Sequence, residues 1–180
     1  MLWIYRSKVL IRLRQKSPMT ITYEINPPKI SADQNILNTL FERIELISSV
    51  CGGIHLTDSV LGIPRVSPLN IAKKIRETNK KIKLTCSLRV RDKELNTIEE
   101  IVKESVGIVD GVLILMGDKS NTNNDKTNLV SSQVGTSLND KGFGEKLELF
   151  LSIPSTPNFT KIQNLLNSLR SIGQIIKIIL

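Results

Sequence analysis

The sequence predicts an α/β fold in which about six parallel strands carry helices on the outside. Three observations lead there. Strand-like and helix-like patterns alternate from residue 20 onward. The strand-like runs are apolar almost throughout, as in GVLIL at 111–115, the pattern of strands covered on both faces. The runs also close on polar or small residues, Gly117 and Asp118 in that case.

In chain order, TITYEI (20–25) alternates and is rich in β-branched and aromatic residues, so it reads as a strand. The prolines of NPPK end it, because they cannot continue a sheet ladder. Residues 34–49 put Ile36, Leu40, Ile44 and Ile47 on one helical face. CGGIHLTDS (51–59) is a short strand opened by a Gly-Gly turn, and the loop GIPRVSP follows. Residues 69–80 form a helix with Leu69, Ala72, Ile75 and Arg76 in phase. KIKLTCSLRV (81–90) is the third strand. Residues 92–106 form a helix with Asp92 as N-cap and Leu95, Ile98, Ile101 and Val102 on the buried side. GIVDGVLILMGD (107–118) is the fourth strand. Residues 119–128 are polar and read as part of a long mobile loop, and 129–145 hold at most a short helical turn. KLELFLSIPS (146–155) is a fifth strand, 159–173 a helix, and QIIKIIL (174–180) a sixth strand. On pattern alone, both a doubly wound open sheet and an incomplete (β/α)8 barrel of the TIM type remain open.

A chain of 180 residues suits one domain with a sizeable core, and scarce aromatics leave aliphatic side chains to fill it. The net charge is +8, and five of those charges are Arg6, Lys8, Arg12, Arg14 and Lys16, in a stretch of 18 residues without an acid. The basic balance therefore belongs largely to this extension. Residues 1–18 are read as a disordered or loosely docked tail, and 19–180 as the domain. Elsewhere lysines and arginines are spread over amphipathic helices, without the interleaved stacking groups of a nucleic-acid face. The extension is too interrupted by charge to span a membrane, and its order is wrong for a signal peptide. Two cysteines and one histidine offer neither a disulfide framework nor a metal site, and suit a reducing, cytoplasmic setting.

In parallel α/β folds ligands bind beyond the carboxyl ends of the strands. The candidates are therefore Glu24 with Pro27 and Pro28, then His55, Thr57, Asp58 and Ser59, then Thr85, Cys86, Ser87 and Arg89, then Gly117 and Asp118, then Pro154, Ser155 and Thr156. A carboxylate desolvated in a buried strand has its pKa raised toward neutrality, which makes Glu24 a candidate general acid. Gly117 would let a flat ligand or a backbone come close. The plainer readings are an ordinary strand histidine at 55, a turn cap at Asp58, and solvated charges at Arg89 and Arg91.

The set ITYEINPPK, IKLTCSLRVRDKEL and GIVDGVLILMGD resembles methylenetetrahydrofolate reductase from about Met19 onward. The resemblance implies a (β/α)8 barrel that binds FAD, takes electrons from NAD(P)H and reduces the methylene group of a folate-type substrate to methyl. It implies that Glu24 is the general acid that opens the folate ring, and that Asp118, with Gly117, lies near flavin and pterin. It also implies that Leu84, Thr85 and Cys86 lie beside the flavin. Thr57, Asp58 and Lys83 complete the expected cofactor-binding set, and no metal is expected. Departures stand at Lys83, where the family has His, at Met116, where it has Arg, and at 153–158, where its Tyr-Pro-Glu and later His are replaced. The resemblance covers only six of eight barrel strands. A partner subunit or second copy would then complete the barrel, or the chain would be a catalytically impaired fragment or a non-catalytic flavin- or folate-binding subunit.

Overall fold

The computed structural model describes residues 21–59, 63–117, 129–152 and 160, and the backbone of 176–179. The strands are β1 (Thr22–Ile25), β2 (Gly53–Leu56), β3 (Lys83–Arg89), β4 (Gly111–Leu115), β5 (Glu148–Ser152) and β6 (Ile176–Ile179). The helices are α1 (Gln34–Ser48), α2 (Pro68–Thr78), α3 (Leu95–Ser105) and α4 (Ser131–Asp140), and a 3-10 turn covers Phe143–Glu145. The chain is an α/β protein whose strands form one parallel sheet in the order β1-β2-β3-β4-β5-β6. The order never reverses, so these strands hold no switch point of the doubly wound kind.

Right-handed crossovers between consecutive parallel strands all return over the same face. That face is the core. Alternate strand residues, among them Ile54 and Leu56, Leu84 and Leu88, Val112 and Ile114, and Leu149 and Leu151, are buried in one cluster with helix residues. α1 contributes Ile44, α2 Leu69, Ala72 and Ile75, α3 Ile98 and Val102, and α4 Val134 and Leu138. The other strand face carries no such layer among the described residues. Several of its side chains are half-buried or exposed where the sequence reading had them covered, as at Leu113 and Leu115 within β4, while Ser87 and Arg89 on β3 are buried.

Local chemistry explains where two helices begin. Asp33 caps α1, its Oδ1 accepting the Ile36 N–H at 2.9 Å. Pro68 opens α2, where its missing N–H costs nothing. Arg76, on α2, ties the strand bases together. Its guanidinium donates to the carbonyls of Ile108 and Ile82 and to Asp110 Oδ2, and the same carboxylate oxygen accepts the Leu84 N–H at 2.7 Å.

Three expectations change. α3 begins at Leu95 with Glu94 at its N-cap position, and Asp92 instead faces Arg89 and Lys93 as an ion-pair partner. The expected short turn near 131 is a ten-residue helix, α4. Its buried stripe, Val134 and Leu138, is one i,i+4 pair in a polar stretch, and Gly135 lets the helix sit close on Leu151. Ile36, expected on the buried side of α1, is half exposed. The loop expected at 119–128, the helix at 159–173 and the extension 1–18 lie outside the described residues.

Candidate functional site on the uncovered sheet face

The sheet face that carries no helix among the described residues is polar in a particular row. Register places Glu24 beside His55, His55 beside Thr85, Thr85 beside Gly111, and Gly111 beside Glu148. Side chains alternate along a strand, so this row and its neighbours two residues away point the same way. Thr22, Glu24, Gly53, His55, Lys83, Thr85, Leu113 and Phe150 line one open cavity of about 490 Å³. Such a volume lies within the range of small-molecule sites.

His55 is the best-held group in it. Its Nδ1 lies 2.8 Å from Thr85 Oγ1 and its Nε2 lies 2.9 Å from Ser87 Oγ. A hydroxyl can donate or accept, so the two partners accommodate either neutral tautomer. Thr85-x-Ser87 works because residues two apart share a face of β3. Burial lowers the His55 pKa from its ordinary 6.5, and the nearby charge of Glu24 opposes that shift without cancelling it. The imidazole is therefore neutral at pH 7.

A pH prediction follows from the direction of this shift. The unfolded chain takes up the proton more readily than the folded one. The His55 contribution to stability is thus whole above pH 6.5 and is lost as pH falls below 6.5 toward the lower, folded pKa. The thermal midpoint should fall on acidification through this window, and less steeply in His55→Asn. With one histidine in the chain, the imidazole resonances report its titration directly. A folded-state midpoint above 6.5 would contradict the assignment.

Glycine shapes the floor. A Cβ on Gly111 would stand 2.6 Å from the Phe150 ring and 2.8 Å from the Glu148 carbonyl oxygen. The missing side chain lets Phe150 lie close against β4, where the ring lends the cavity an apolar wall beside Leu113. Lys83 and Glu148 meet as an ion pair across the same glycine, at 2.5 Å.

The other expected residues fall in different places. Glu24 lines the cavity, as do Thr85 and Lys83. Glu24 is exposed, however, because β1 is the margin of the sheet and its first three residues are all open to solvent. The burial that made it a candidate acid in the sequence reading is not there. Thr57 and Asp58 sit just past β2 and hold loops. Thr57 Oγ1 donates to Asn26 Oδ1 at 2.6 Å, and Asp58 Oδ2 accepts the Arg89 N–H at 3.1 Å and faces Lys93 Nζ at 3.4 Å.

Cys86 is displaced from the expected cofactor set. Strand alternation turns it to the helix side, where it joins the core, and burial first, with the Asp58 charge second, pushes its thiol up to about 12. Such a thiol stays protonated and unreactive at neutral pH. Gly117 is in the left-handed region at φ 77°. Its open side is filled by the stem of Arg89, where a ligand or a backbone was expected. Its carbonyl accepts from Arg91 Nε at 3.1 Å. Asp118 lies outside the described residues.

Sequence reasoning undervalued two groups. Arg89 reads as a solvated charge, yet is 3% exposed. Its position seven residues into a strand run and opposite Asp58 was the available signal. His55 reads as ordinary, although its period-two alignment with Thr57, and that of Thr85 with Ser87, put hydroxyls and imidazole on one face. No group of three or more potential metal ligands occurs among the described residues. No helix among them is long and apolar enough to cross a membrane.

The fold and the cavity describe an α/β protein with a parallel sheet and an open cavity on the sheet face that carries no helix among the described residues. No family model matches the chain. No curated protein matches it either.

Proposed function

We propose that the chain is a cytoplasmic flavin-dependent oxidoreductase domain of the methylenetetrahydrofolate-reductase kind, its sheet forming six strands of a (β/α)8 barrel. The observation that carries this reading is the meeting of Glu24, Lys83 and Thr85 in one cavity with apolar walls. Glu24 comes from one of the stretches that carry the resemblance and Lys83 and Thr85 from another, with Lys83 standing where the family has His. The consecutive parallel strand order supports the barrel.

The donor set suits a flavin ring. Leu113 and Phe150 offer flat apolar contact, while Thr85, His55 and Lys83 offer polar contacts to its edge. Bound there, FAD would supply hydride chemistry with NAD(P)H as donor, and the protein's part is placement and charge. Glu24 would stand where the resemblance places the general acid that acts on the folate-type substrate. His55 would stay neutral beside it and keep Thr85 and Ser87 in fixed orientation.

A second reading is a catalytically impaired fragment or a non-catalytic flavin- or folate-binding subunit that works with a partner. Two observations favour it. Glu24 is open to solvent, and Thr57 and Asp58 are engaged in loop contacts. Mixing the purified chain with FAD and with a folate-type ligand separates these readings from an unrelated function. The first reading requires a retained chromophore absorbing at about 450 nm after free flavin is removed, together with turnover of methylenetetrahydrofolate by NAD(P)H; the second requires retained flavin or a retained folate-type ligand without that turnover. A chain that retains neither contradicts both.

A further inference from the structure

On the helix side, a groove of about 560 Å³ runs between α1 and α2. Its floor is apolar, with Ile44 and Ile75 beneath and Phe41 beside them. Its rim is acidic. Glu42, Glu45 and Glu77 line it, against one cation, Lys74, which lies 5.6 Å from the centroid of the Phe41 ring. No described segment covers this groove.

We infer that the groove is the docking site of the chain's own N-terminal extension, residues 1–18. Charge and hydropathy match: the extension carries five basic residues and no acid, interleaved with Trp3, Ile4, Val9, Leu10 and Leu13. Position matches as well. Helices that follow parallel strands run back toward the strand starts, so the Ser48 end of α1 and the Thr78–Asn79 end of α2 lie near the base of the sheet. Ser48, Thr78 and Asn79 line the groove there. Ile21, where the extension joins the domain, is bound at that same end, its carbonyl accepting the Gly52 N–H at 2.9 Å. Reach is ample. The α1 wall from Asn38 to Ser48 is about 15 Å long, and 18 residues span about 27 Å even if wholly helical.

Association of this kind depends on salt, since rim charges are solvated and screened. It leaves the cavity on the opposite sheet face free, so it does not depend on the proposed activity. The test is a charge swap in the full-length chain, read by amide hydrogen exchange in α1 and α2. One variant carries Arg6→Glu, Lys8→Glu, Arg12→Glu, Arg14→Glu and Lys16→Glu. A second carries Glu42→Lys, Glu45→Lys and Glu77→Lys, all at exposed positions. Each should speed exchange around the groove by roughly tenfold, and the two sets combined should restore protection. Unchanged exchange in both single sets, or effects that add when combined, would overturn the inference. So would a lipid surface as the true partner. That result would be loss of sedimentation with phosphatidylserine vesicles in the first variant, with exchange around the groove unaltered.

Discussion

Glu24→Gln should lower the rate of methylenetetrahydrofolate reduction by about 10²- to 10⁴-fold, the usual worth of a positioned general acid. Flavin reduction by NAD(P)H should change by less than about twofold, since only the folate half-reaction needs the proton. The exchange is close to isosteric. Glu24 is exposed and its backbone keeps its register with His55, so the variant should fold as the parent does. Stopped-flow measurement of the two half-reactions separates the outcomes. Equal loss in both would make Glu24 a structural residue of β1, and no loss in either would remove it from the chemistry.

Gly117→Ala should destabilise the protein by about 2–5 kcal/mol, as the sum of two costs. A non-glycine residue held at φ near +77° costs about 1–2 kcal/mol. The new methyl also meets the Cγ and Cδ of Arg89, and overpacking of that kind adds about 1–3 kcal/mol. Arg89 cannot simply swing away. It is 3% exposed, and its guanidinium reaches the Ser59 carbonyl at 3.4 Å and faces Asp92. Urea denaturation checks the size, and a double-mutant cycle with Arg89→Ala checks the cause. Removing the arginine stem should leave only the backbone part of the penalty. An undiminished cost in that background would mean that the Arg89 contact is irrelevant.

Much of the fold could be read from residue pattern. The alternation of apolar strand runs with helical stripes marked β1 to β5 and α1 to α3 to within a few residues, because each element buries one coherent face. α4 was harder to see. Its one i,i+4 pair, Val134 and Leu138, sits among polar residues, and its fit depends on Gly135 resting against Leu151, a long-range contact that no local window contains. Asp92 illustrates a different difficulty. It has the composition of a helix cap, yet the pull of Arg89 and Lys93 wins it for an ion pair.

Some residues of the cavity were legible, but its place was not: the sequence reading looked past the carboxyl ends of the strands, whereas the cavity is lined by the first and third residues of strands, among them Thr22, Gly53 and Lys83. Alternation along β3 decides that Thr85 and Ser87 face the cavity while Cys86 faces the helices, and the sequence stretch LTCS contains all of them without saying which side is which. The exposure of Glu24 follows from β1 being at the sheet margin, a property of strand order and not of the residues of TYEI. Gly117 could be recognised as a close-approach glycine, but not that its neighbour would be an arginine stem from the adjacent strand. His55 was among the candidates from the sequence, with an ordinary strand histidine as the plainer reading, and the register sets it between Glu24 and Thr85.

The central claim is that the sheet face free of helices is the ligand site. The lone histidine tests it most directly, because its imidazole signals need no assignment by mutation. In a ¹H–¹⁵N titration with FAD, then with methylenetetrahydrofolate, the account predicts saturable displacement of the His55 ring resonances. Resonances that stay fixed while equilibrium dialysis shows the same ligands bound would place the site elsewhere and contradict it.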